Sequence, residues 1–182
     1  FDATNNPTPD LAAFISNSHV ALDGTTIDNL DTGVFSADNL KVTVRQLRLQ
    51  RRQGGGLGSY HFDGLLGALN LLETMKEVTD SELQTNSAEN AINWVSNLYP
   101  GVRVGTSEYL HSDYNTLNSN VNTSYFVVSR RHKVTHNVRK SIETEWLGAE
   151  ISRTRTAYYR ARFREAAYPG TWSGVVGSSG TV

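Results

Sequence analysis

His132 and His136 have the i, i+4 spacing at which two imidazoles on a helix can share a metal ion. They lie in Arg130–His136 (RRHKVTH), an alternating basic stretch with no third ligand at a recognisable spacing. On a strand their Cβ atoms would fall roughly 13 Å apart, too far for one ion. Glu143 and Glu145 share a strand face, and Asp23, Asp28 and Asp31 cluster nearer the N-terminus. Paired carboxylates can cleave a glycosidic bond when their separation suits it. The simpler expectation is that the two glutamates pair with arginines across a sheet or a subunit contact. Gly54–Gly58 (GGGLG) lacks the lysine and Ser/Thr of a phosphate loop and the glycine spacing of a dinucleotide fold. It reads as a hinge. The chain has no cysteine, which removes disulfides, thiolate nucleophiles and thiolate metal sites. No catalytic, cofactor-binding or metal-ligating residue is assigned, no cofactor is expected, and the chain is read as not an enzyme.

The arginines fall into groups: Arg45, Arg48, Arg51 and Arg52; then Arg130 and Arg131 with Lys133; then Arg153, Arg155, Arg160, Arg162 and Arg164. The formal net charge is nevertheless −1, because acidic residues collect in 1–38 and 73–89. No global field therefore favours nucleic acid or an anionic membrane surface. The segregation would let one copy's acidic segment meet another copy's basic strand. Nucleic acid is the rival partner, since Tyr158, Tyr159 and Phe163 interleave with the basic residues, but near-neutrality disfavours it.

The elements that must carry these groups begin with 1–10 (FDATNNPTPD), where Pro7 and Pro9 favour an extended arm. Residues 11–20 fit a short helix or a strand. Asp23-Gly24 and Thr32-Gly33 are turn signals dividing short β rungs. Lys41–Leu49 alternates at Val42 and Val44 and slips phase at Gln46, so a strand with a bulge is expected there. Asp63–Thr79 carries Leu65, Leu66, Leu69, Leu72 and Met75 at near-helical spacing, with Asp63 as cap. A second helix, capped by Ser87, would place Ala91, Ile92, Val95 and Leu98 on one side before Pro100-Gly101 stops it. The two would form a helical hairpin, with Leu65, Leu66, Leu69 and Leu72 buried against Ile92 and Val95. Tyr125–Val128 and Ser141–Leu147 read as strands. Ile151–Phe163 reads as a strand, with Ala157, Tyr159, Ala161 and Phe163 on one face, although 151–166 would also fit a helix. The tail 169–182 is rich in glycine and serine and holds Trp172; it is a linker or a strand that needs a partner, expected to order only against other chains.

Hydrophobic content is 38%, below the usual share for a compact domain, and Ser, Thr and Asn make up roughly a quarter of the residues, which is high. Part of the burial is therefore expected from neighbouring copies. No apolar run reaches membrane-span length, so no membrane insertion is expected, and nothing reads as a signal peptide. The first residue is Phe1, so a segment upstream is expected.

The stretch Asp23-Gly24-Thr25-Thr26-Ile27, then Leu30, Gly33-Val34-Phe35-Ser36-Ala37-Asp38 and Leu40, resembles segments of bacteriophage tail-fibre and neck-fibre proteins. The resemblance implies a virion structural protein, homotrimeric, docking to other virion proteins and located in the virion after assembly in the host cytoplasm. It covers about a tenth of the chain, occurs once and does not account for the helical section, so an attachment or neck module fits better than a shaft. The expected fold is α+β and mainly β, in three stretches: 1–53 an extended arm and β segment, 54–100 a helical hairpin, and 101–182 a β-rich domain with antiparallel strands. The alternative function is a carbohydrate-binding module presenting Trp146, Trp172 or tyrosines to host surface glycans, or a polysaccharide-degrading one using Glu143 and Glu145.

Overall fold

The computed structural model describes residues 12–82, 92–111, 121–150 and 156–180. The segment 1–10, the Ser87 cap, Ala91, Arg153 and Arg155 lie outside the described residues. The fold is α+β with more strand than helix, in agreement with the class expected from sequence.

The centre is a five-stranded mixed sheet in the order β3 (Leu30–Asp31), β9 (Val175–Ser178), β6 (Tyr125–Val128), β4 (Gly64–Ala68), β5 (Arg103–Ser107). The outer pairs are parallel and the inner pairs antiparallel. One strand comes from residues 1–53, one from 54–100 and three from 101–182, so all three stretches build one sheet. A separate two-residue pair, β1 (His19–Val20) with β2 (Thr26–Ile27), turns at Asp23-Gly24. Gly24 there takes φ +80° and Asp23 Oδ1 accepts from the Thr25 amide.

Lys41–Leu49 is not a strand. It lies in helix α1 (Ala37–Leu49). Ser36 caps it by accepting from the Asn39 amide at 3.1 Å, and Leu40, Thr43, Val44 and Leu47 form the buried i, i+3, i+4, i+7 stripe. Val42 mimics strand alternation but faces solvent, as does Leu49. The phase slip at Gln46 is the helical period itself.

Asp63–Thr79 begins as a strand. Gly64 and Gly67 weaken a helix in its first turns, and β4 finds paired backbone on both sides, from β5 and β6. Helix α2 (Leu72–Asp80) starts only after a 3-10 turn at Leu69–Leu71. Asp63 caps nothing; it accepts from the Arg130 amide at 2.9 Å. The leucine stripe divides accordingly: Leu65 is buried, whereas Leu66 and Leu69 are exposed. Helix α3 (Trp94–Leu98) buries Val95 but leaves Ile92 and Leu98 outside. Asn93 is its cap, accepting from the Val95 amide while donating to the Val78 and Ser81 carbonyls at the end of α2. Gly101, at φ +86°, ends that unit as Pro100-Gly101 suggested.

The core lies between the helices and one face of the sheet. Leu65, Val127 and Val176 sit in one register row, and Leu40, Val44, Leu47, Met75, Val78 and Val95 cover them. Beside them Asp31 Oδ2 accepts from Thr43 Oγ1 at 2.8 Å and from the Tyr125 hydroxyl at 3.2 Å, joining β3, α1 and β6. Burial, assisted by the Asp31 charge, pushes the Tyr125 hydroxyl up to about 12, which keeps it a donor at ordinary pH.

Leu40→Ala should lower stability by roughly 2–5 kcal/mol, from lost transfer energy plus a cavity, and the melting temperature by at least about 4 °C. Val42→Ala, two residues along and solvent-facing, should be nearly neutral. Equal melting of the two variants would contradict the helix and its stripe.

Candidate functional site: the hairpin arm

The two central antiparallel strands, β6 and β9, continue past the sheet as a second antiparallel pair, β7 (Val134–Glu150) with β8 (Thr156–Pro169). Residues 156–169 are thus strand, which settles the choice between strand and helix over the described part of 151–166. Fourteen residues of strand span roughly 45 Å.

The base of this arm is tightly built. The Gly170 amide donates to the Lys133 carbonyl at 2.7 Å, and the Ser129 amide donates to the Gly174 carbonyl at 2.9 Å. Gly174 takes φ +88°, and a Cβ there would lie 2.9 Å from the His132 Cα, so both conformation and space demand glycine. Trp172 is fully buried, stacked on His19 at 5.0 Å between ring centroids, and belongs to a small core with Ala21 and Ile27. It cannot present a ring to a sugar. The tail is likewise not a linker and needs no other chain: all four residues of β9 are buried between β3 and β6. Gly54–Gly58 is no hinge either. Gly55 takes φ +87°, the Gly55 amide donates to the Arg52 carbonyl, and the Gly58 amide returns to the Gln50 carbonyl, making a closed turn after α1.

Along the arm, register shifts fall between Val138 and Lys140, between Lys140 and Glu143, and between Trp146 and Gly148. Each inserts an extra residue into β7. The first two turn Lys140 to the face opposite Val138, and the apolar residues of β7 stay in phase with one face of β8. Directly paired residues share a face: Val138 with Glu165, Thr144 with Ala161, and Trp146 with Tyr159. Ile142 and Phe163 follow by alternation. On that face Val138, Ile142, Trp146, Tyr159 and Phe163 are between 52% and 75% exposed. Trp146 and Tyr159 meet edge to face at 4.7 Å. The opposite face carries Arg160 with Glu145 at 2.6 Å, Arg162 opposite Glu143, and Arg164 opposite Lys140. Glu145 is the glutamate that pairs with an arginine across the sheet, and the Arg160 hydrogen bond holds its carboxyl below the usual range. Glu143 instead takes Lys140, at 2.7 Å.

The remaining candidates are dispersed. His136 sits on the arm with Nε2 at 3.2 Å from Glu165, while His132 lies in the turn before β7, its Nδ1 accepting from the Val134 amide. Among the described residues no group of three His, Asp or Glu is placed to hold a metal. Asp23, Asp28 and Asp31 each accept from backbone amides one or two residues on, which is turn chemistry. The Thr25 amide bond holds the Asp23 carboxyl below its usual value. No family model matches the chain, and none of the curated proteins matches it.

Gly174→Ala should cost on the order of 1–3 kcal/mol, from forcing a side chain into a positive φ. It should also loosen the packing of Trp172, read as lost near-ultraviolet circular dichroism. A variant with unchanged melting and unchanged aromatic signal would contradict this account of the base.

Proposed function

We propose that the chain is a structural subunit of a virion, of the fibre, neck or tail attachment kind, working by self-association and docking to other virion proteins. The observation that carries this is the exposed apolar face of the arm. Three rings at 150–250 Å² each, half to three-quarters exposed, with Ile142 and Val138 add up to a face on the order of 500 Å². That is at the upper end of what a soluble monomer leaves uncovered. A two-stranded hairpin is also marginal in water by itself. The occupant is a second copy of this chain. Two such faces together bury on the order of 1,000 Å², the threshold of a specific interface. Three arms around an axis would bury all their apolar faces at once and turn Arg160, Glu145, Arg162 and Glu143 outward. The trimer is therefore favoured over the dimer. The resemblance of Asp23–Leu40 to fibre segments supplies the virion setting.

Exposure of Trp146 and Tyr159 also favours a second reading, recognition of a host glycan by these rings. A glycan array probed with the chain and with Trp146→Ala separates it: binding lost with the ring supports the glycan reading.

Sedimentation at micromolar concentration should give about 60 kDa, three times the 20.1 kDa chain. Ile142→Asp with Phe163→Asp should give a folded species of single-chain mass, because a charge on the shared face opposes burial. Mass spectrometry of purified virions should detect the chain. A folded monomer for the unaltered chain would overturn self-association, and absence from the particle would overturn the virion role.

A further inference from the structure

At the base of the arm, against the turn that follows α1, lies an open basin of about 670 Å³. It brings together Arg52 from that turn, Arg130, Arg131 and Lys133 from the turn between β6 and β7, and Thr171 and Ser173 from the return to β9. Two cationic groups far apart in sequence thus share one concavity, and among the described residues no aspartate or glutamate lines it. Arg130 alone has an acidic neighbour there, Asp63 at 3.8 Å; Arg52, Arg131 and Lys133 form no ion pair among the described residues. Three such cations gathered without a paired counter-charge raise the local potential well above what a net charge of −1 suggests. Thr171 Oγ1 and Ser173 Oγ are hydrogen-bonded to each other at 2.9 Å. One of these hydroxyls donates to the other, leaving one O–H free to donate outward. Ser173 is buried at the basin floor.

We propose that this basin is a binding site for phosphate groups, which a nucleic-acid backbone or a free phosphate can supply. Guanidinium forks match two oxygens of one phosphate, and an ammonium with a hydroxyl complements the rest of an acceptor-only anion. The volume suits a nucleotide-sized group. Tyr60, the one Phe, Tyr or Trp residue among those lining it, is buried and offers no face for a base to stack on. Recognition is therefore of phosphates and indifferent to sequence. The near-neutral total that argues against nucleic acid does not bear on so local a field.

The test is fluorescence anisotropy with a short labelled oligothymidylate, repeated over a range of salt. Three or four phosphate contacts to a single strand predict a log–log salt slope of roughly −2 to −3. Arg131→Glu with Lys133→Glu should weaken binding at least about tenfold and flatten the slope by roughly 1 to 2. Arg103→Glu, on the exposed edge strand β5, should leave both unchanged. Should the double reversal not melt cooperatively, Arg131→Gln and Lys133→Gln singly give smaller losses of the same sign. Displacement by millimolar inorganic phosphate would identify a free-phosphate site, and displacement only by unlabelled oligonucleotide a backbone site; both support the proposal. Binding unaffected by the variants, no binding of either probe, or competition by polyglutamate equal to that by oligonucleotide would overturn it.

Discussion

Two buried amides hold the strand Val175–Ser178 inside the sheet, between β3 and β6, and the rest of the molecule is arranged around that insertion. Asn29 is fully buried; its Nδ2 donates to the Phe14, Trp172 and Val175 carbonyls, and its Oδ1 accepts from the Ser16 amide. Gln50 donates to the Val175 carbonyl at 3.0 Å and accepts from the Gly174 amide at 2.8 Å. Buried polar groups left unpaired cost about 1–3 kcal/mol each, so these two side chains strongly favour one position for the end of the chain. With β9 placed antiparallel beside β6, the connection between them leaves the sheet at the Val128 and Val175 end, where it forms β7 and β8. The place where the arm emerges thus follows from strand order, at the shared end of β6 and β9.

The same constraint explains why one face of the arm stays apolar without a cover among the described residues. The helices occupy the sheet face that carries Leu65, Val127 and Val176, while the arm runs on past Val128 and Val175, beyond the strands they cover. Val138, Ile142 and Trp146 are an even number of residues apart and so share a face, and the two bulges flanking Lys140 turn that residue to the opposite side, beside Arg164. Bulges re-aim side chains, and here they keep the Lys140 ammonium off the side that carries Val138, Ile142 and Trp146. The ion pairs on the opposite side, Glu145–Arg160 across the strands and Glu143–Lys140 within β7, are exposed and contribute little to stability by themselves. They keep that face soluble, which concentrates association on the other. At the foot of the arm, the turns at Ser129–Lys133 and Gly170–Gly174 bring cations into one basin as a by-product of the same crossing.

Legibility in the sequence followed the range of the interactions involved. Tyr125–Val128 read correctly because all four residues are aromatic or β-branched, and Ser141–Leu147 because Ile142, Thr144 and Trp146 alternate with polar residues. The Asp23-Gly24 turn read correctly because its chemistry is local. Lys41–Leu49 misled because Val42 and Val44 imitate alternation over three residues, while the helix depends on Ser36 and Leu47 further out. The leucines after Asp63 misled because a central strand and a helix both accept Leu-Leu, and only pairing with β5 and β6 decides between them. The tail was opaque for the same reason: its partners, Leu30 and Phe126, lie more than fifty residues away. The cationic basin was invisible, since Arg52 and Arg131 meet only once the turns around β6 and β9 form. The cross-strand pairing of Glu145 was legible in kind, although Glu143 chose Lys140.

Amide hydrogen exchange across the arm, followed as concentration is lowered through dissociation, tests the central claim most directly. Strands β4, β6 and β9 should hold their protection throughout, because their pairing is within one chain. Protection in Val134–Glu150 and Thr156–Pro169 should be high in the assembled state and fall as copies separate, since the apolar face is then covered only by water. An arm whose exchange is the same at every concentration would contradict association through this surface.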